Sequence, residues 1–171
     1  FRAHGIDPAE VDWNRFLEEY LRQLRGTLAE LQGRILPDVV DLLTALSGHG
    51  EVSVGLLTGN FREGAAIKLQ HYQIDHHFAY GGFGDDHHDR DDVARQALAA
   101  AEQQHGRALP GEVIWVIGDT PSDVRCARAI GARAVAVATG IYSHTELEQT
   151  VPDILLSDLS DPTPLLEQIL N

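Results

Sequence analysis

Two aspartates four residues apart close the stretch "VIGDTPSD": Asp119 at the tip of an apolar run and Asp123 one turn later. Hard divalent cations such as Mg²⁺ take one or two carboxylates together with water and substrate phosphate. The pair is therefore a candidate metal site needing further ligands. Gly118 lets the backbone pass close to a ligand, and Pro121 suits the first turn of a helix. Asp123 then lies near the positive end of that helix's dipole. Spacing alone is equally satisfied by an Asp119 that caps the helix and an Asp123 that complements its dipole.

A second stretch, "LLTGN", brings Thr58, Gly59 and Asn60 to the end of another apolar run. A hydroxyl, a side-chain amide and free backbone N–H groups can grip phosphoryl oxygens. A turn chosen only for its backbone angles has the same composition, and the motif alone favours that reading. A third, "GDDHHDRDD", holds five aspartates and two histidines in nine residues. No ligand spacing stands out there, so a solvated acidic loop capping the next helix is favoured over a metal cluster. Arg90 is the residue of interest within it, a cation held among carboxylates where a helix opens. Lys68 is the only lysine in the chain and falls mid-helix, ordinarily a surface position.

These residues need elements to hold them. "DPAEVDWNRFLEEYLRQLRGTLAELQG" carries apolar residues at three- and four-residue steps, a helix with Asp7-Pro8 as cap and first turn. Pro37 opens a second helix that ends at Gly48 or Gly50. From there strands and helices alternate: "EVSVGLLTGN", "REGAAIKLQHYQI", "HFAYGGFG", "DDVARQALAAAEQQHG", "EVIWVIGD", "SDVRCARAIG", "RAVAVATG", "SHTELEQT", "DILLS" and "DPTPLLEQIL". Strands separated by single helices imply crossovers and a parallel sheet covered on both faces. The unbroken apolar runs "VIWVI" and "AVAVA" agree, because a strand buried on both sides does not alternate with polar residues. The fold class is α/β, a doubly wound parallel sheet. Ligands of such sheets bind beyond the carboxyl ends of the strands, and all three unusual stretches fall on that rim.

Composition narrows the partners. At 171 residues the chain can bury a real core. A formal charge of −13 repels phosphate backbones and anionic lipid, which argues against nucleic acid and membrane as partners. A single cysteine, Cys126, excludes an internal disulfide and fits a reducing cytoplasm. No apolar run approaches the ~18 residues of a spanning helix.

The order and spacing of these motifs resemble the haloacid dehalogenase-like hydrolases, in particular their phosphoglycolate phosphatase-like branch. "LLTGN" is similar to that family's second motif, "VIGDTPSD" to its acidic fourth motif, and "GIYSHTEL" to a substrate-proximal loop. The resemblance runs from Leu36 to the C-terminus, and it implies an α/β core over residues 34–171 with a partial helical cap over residues 1–33. It further implies Mg²⁺-dependent hydrolysis of a small phosphorylated metabolite through an aspartyl-phosphate. Thr58 would then hold the phosphoryl group, with the amides around Gly59 and Asn60. Asp119 would ligate Mg²⁺, and Asp123 would ligate it or orient its waters. The third motif, normally lysine, falls at Arg90, with Lys68 as the competing candidate.

The family's first motif, a strand ending in Asp-x-Asp-x-Thr, has no match in the chain. That segment would supply the nucleophile, a general acid/base and the central strand, between those ending at Thr58 and Asp119. Unpaired buried amides cost about 1–3 kcal/mol each against a total stability of about 5–15 kcal/mol. The expectation is that Phe1 is not the natural start and that an upstream segment completes both sheet and site. Two other activities fit the same fold: a phosphosugar mutase, and a true dehalogenase. The dehalogenase is disfavoured because it would leave the paired aspartates without a task. A non-catalytic domain that binds a partner or metabolite is the alternative from outside enzymology.

Overall fold

The computed structural model describes residue 7 and residues 11–31, 33–85, 87 and 89–170. The expected Asp7-Pro8 helix start, and Asp86 and His88 of the acidic loop, involve residues outside that set. Within it, all ten segments of the alternating pattern form their expected elements. The first helix, α1 (Trp13–Glu30), is capped by Asp12, whose side chain accepts from the Arg15 amide at 3.1 Å. The second, α2, spans Val39–Ser47, starting two residues after Pro37. There follow β1 (Gly55–Leu57), α3 (Arg62–His71), β2 (Tyr80–Gly82), α4 (Arg90–His105) and β3 (Trp115–Gly118). The chain closes with α5 (Pro121–Ala129), β4 (Arg133–Val137), α6 (His144–Glu148), β5 (Ile154–Leu156) and α7 (Thr163–Leu170).

All strand pairs are parallel, as single-helix crossovers require. Among the described residues the strands form two sheets, β1-β2 and β3-β4-β5, rather than one continuous sheet. Gly55 pairs with Tyr80 in the first; Trp115 pairs with Arg133 in the second. No strand pairing joins β1 to β3.

The apolar run of β4 sorts by face. Val135 and Val137 pack with Leu42 and Leu46 of α2, Leu165 of α7 and Leu159. On the opposite face, Ala134 and Ala136 meet Val124 and Ala127 of α5 and Leu147 of α6. Alanines on that face let α5 lie close to the sheet, while the larger valines fill the space under α2 and α7. Val52 and Val54, leading into β1, join the valine-side cluster. Helix α4 packs on β1 and β2 as well as on α5. Helix α4 and the valine-side cluster thus link the two sheets. Helix α1 rests on α3: the Tyr20 and Phe61 rings meet edge-on at 5.9 Å, and Arg25 pairs with Glu63 at 3.0 Å.

Candidate active site

The turn after β1 is built around one hydroxyl. Thr58 Oγ1 accepts from the Asn60 side-chain Nδ2 at 2.7 Å and from the Asn60 backbone N–H at 3.2 Å. Asn60 Oδ1 in turn accepts from Lys68 Nζ at 2.7 Å. The loop after β2 locks onto this turn, since the Gly84 amide donates to the Asn60 carbonyl at 2.9 Å. A Cβ on Gly84 would strike the Gly59 carbonyl, so glycine is required by close approach. The Asn60 N–H, expected to face a phosphoryl group, is instead committed to Thr58. Around this turn, Gly59 N–H makes no hydrogen bond among the described residues.

The other half of the site stands at the end of β3. Asp123 folds back over the first turn of α5, where its Oδ2 accepts from the Thr120 N–H at 3.0 Å and the Thr120 hydroxyl at 2.8 Å. A Cβ on Gly118 would collide with that carboxylate. Its other oxygen, Oδ1, accepts from Arg90 Nη2 at 2.8 Å, with the aspartate side chain 13% exposed. Asp123 is therefore a capping carboxylate and an ion-pair partner with both oxygens engaged.

Arg90 joins the two halves. Beyond Asp123, its Nη1 lies 3.5 Å from where a Gly59 Cβ would stand, and its buried Nε has no hydrogen-bond partner. One guanidinium therefore spans from the turn after β1 to the helix after β3. Arg90 is the first residue of α4, held there by Asp89, whose side chain caps the helix by accepting from the Asp91 amide at 3.0 Å. The Cys126 thiol donates to the Arg90 carbonyl at 3.3 Å, and burial pushes its pKa up. It is a packing cysteine, not a reactive one.

Asp119 is half-buried, and its carboxylate has no hydrogen-bond or ion-pair partner among the described residues. Gly140, in the loop after β4, sits so close that a Cβ there would strike that carboxylate. Next to it Ile141 is 91% exposed at the rim. A hard, uncommitted carboxylate fits Mg²⁺, whose other ligands are characteristically water and substrate oxygens. Among the described residues no three His, Cys, Asp or Glu side chains converge closely enough to hold an ion by themselves.

The sequence-selected residues Thr58, Gly59, Asn60, Arg90, Asp119 and Asp123 accordingly share one rim, at the carboxyl ends of β1 and β3. Sequence reasoning left two supporting features unassigned. The Lys68 contact joins residues eight apart across a turn and a helix, although the residue's uniqueness in the chain marked it out. The Gly140 contact has no local signal at all.

Comparison with known proteins identifies the family. A HAD-hydrolase-like family model matches residues 92–162. A phosphoglycolate phosphatase from Synechococcus elongatus is 31% identical over 169 residues, covering 99% of this chain and 74% of that protein. One from Salmonella choleraesuis is 27% identical, covering 93% of the chain and 61% of its own length. The fold superposes on CbbY from Rhodobacter sphaeroides, solved with phosphate, with a TM-score of 0.72 at 19% identity, over 92% of this chain and 68% of that one. The chain belongs to the haloacid dehalogenase-like hydrolases and is phosphoglycolate phosphatase-like.

Proposed function

We propose that the complete protein is a Mg²⁺-dependent phosphatase acting on a small phosphomonoester through an aspartyl-phosphate, in a cytoplasmic setting. The observation that carries this is the Arg90 guanidinium, which reaches both the Thr58–Asn60 turn and Asp123 beside Asp119. A dianionic phosphoryl group between those ends meets positive charge, a hydroxyl donor and a metal-binding carboxylate together. Phosphoryl transfer asks for little else beyond positioning and charge neutralisation.

In this reading Thr58 and the Gly59 amide hold the phosphoryl oxygens. Arg90 neutralises their charge, while Asp123 fixes its direction. Asp119 holds Mg²⁺, which supplies further neutralisation when bound. A strand seated between β1 and β3 provides the nucleophile from a longer polypeptide. Its aspartate carboxylate attacks phosphorus, the alcohol leaves with a proton from a second aspartate, and water then hydrolyses the acyl phosphate. Helix α1 is read as part of a cap, and the 171 residues alone are inactive.

The test is hydrolysis of a generic aryl phosphate, with and without Mg²⁺, by this chain and by a form extended to carry an Asp-x-Asp-x-Thr strand. Turnover is expected only from the extended form with Mg²⁺, and Asp119→Asn should abolish it while leaving the fold intact. Equal turnover by that variant would remove the metal role from Asp119. No turnover by either form would favour a binding domain.

A further inference from the structure

Lys68 occupies the last part of α3, half-buried, and spends its charge on Asn60 Oδ1 at 2.7 Å. An ammonium has three donors and no acceptor, so the amide must turn its carbonyl oxygen towards it. That orientation aims Nδ2 at Thr58 Oγ1, where the contact is 2.7 Å. With the Asn60 backbone N–H also donating, both lone pairs of the threonine hydroxyl are filled. Among the described residues its own proton has no acceptor. Without the lysine the amide can rotate by half a turn, offer Oδ1 to Thr58 and draw that proton away from the site.

The geometry points to Lys68 as a positioning residue that fixes the direction of the Thr58 hydroxyl proton through Asn60. It acts two contacts from the phosphoryl group and is distinct from Arg90, which meets the group directly. The inference rests on the reading of Thr58 as a phosphoryl donor. It separates from a simple charge effect because a bare positive charge would act on an anion whether or not Thr58 has a hydroxyl.

The experiment is a double-mutant cycle on the full-length protein, with inorganic phosphate as the probe in the presence of Mg²⁺ and affinity read by calorimetry. Thr58→Val and Lys68→Met should each weaken phosphate, the latter by on the order of tenfold for one lost charge-directed hydrogen bond. In the Thr58→Val background, Lys68→Met should cost nothing further, and Lys68→Arg, also a pure donor, should restore binding. In NMR spectra the Asn60 side-chain amide should move in Lys68→Met and return in Lys68→Arg. An equal loss in both backgrounds would overturn the inference in favour of bare charge, as would an unmoved amide signal. Weakening by Thr58→Val but not by Lys68→Met would overturn it while sparing the phosphatase reading. Phosphate binding indifferent to Thr58→Val would sink both the Thr58 role and the inference.

Discussion

A methyl group at position 118 would occupy the space that the Asp123 carboxylate fills. Gly118→Ala must therefore push that carboxylate off the Thr120 amide and off Arg90, two contacts that close the first turn of α5 and aim the arginine. Unsatisfied partners of this kind cost about 1–3 kcal/mol. In a chain of this size each kcal/mol lowers the melting temperature by about 2–4 °C. A thermal melt of Gly118→Ala should show that fall, and a midpoint within about 1 °C of wild type would mean Asp123 has an equally good alternative position. The residue scale is also where the sequence was most and least readable. The types and spacing in "VIGDTPSD" and "LLTGN" marked two candidate stretches, although helix caps and turns use the same residue types and the order of the motifs was needed to favour a site. The allotment of each oxygen was hidden. Asp123 finds Arg90 across 33 residues and Asn60 turns inward to Thr58, and no local rule predicts either.

At the scale of elements, helices and strands were legible because periodicity and caps are local properties. The pairing of β4 with β5 is held by something less local. Asp153, just ahead of β5, accepts from the Ala134 amide of β4 at 2.7 Å and from Arg128 of α5 at 2.7 Å. Arg128 also donates to the Val151 carbonyl at 2.9 Å, so one ion pair fastens a helix, a strand and the turn between α6 and β5. Burial pushes the Asp153 carboxyl up, but the Ala134 amide and Arg128 outweigh it and leave the pKa lowered. A carboxyl depressed on folding adds stability above its unfolded value and loses it as pH falls through the folded one. Asp153→Asn should thus destabilise the protein at neutral pH, by about 1 kcal/mol after allowance for solvent screening at this part-exposed site. The gap from wild type should close as pH drops below about 4. Urea melts across that range give the comparison; a gap that persists at low pH would show that the charge is not what matters there.

At the scale of the whole molecule the described strands form two sheets, and the pattern of their unused hydrogen-bonding groups bears on the strand proposed to lie between them. In β1 the Thr58 amide bonds to β2 through the Gly82 carbonyl. Alternation along a parallel strand then turns the N–H and C=O groups of Gly55 and Leu57 the other way. In β3 the Ile114 carbonyl accepts from Arg133 of β4, which turns those of Trp115 and Ile117 away from β4. Ile117 of this strand also keeps 37% of its surface exposed. Both strands end at the rim that carries Thr58 and Asp119, and in the proposed reading a single parallel strand between them would satisfy both edges at once. The sequence had indicated a central strand from the absent first motif; the structure adds which amides it would meet. Hydrogen exchange makes the consequence measurable. In this chain the amides of Gly55, Leu57, Trp115 and Ile117 should exchange freely while Leu56 and Val116 are protected. In a form extended by the first-motif strand, the first four should slow by on the order of a hundredfold or more, because pairing on both sides moves them into the cooperative core. If those four amides were already as protected as Leu56 and Val116 in the chain alone, β1 and β3 would be pairing by some other route, and the strand proposed to carry the nucleophile would have no place to enter.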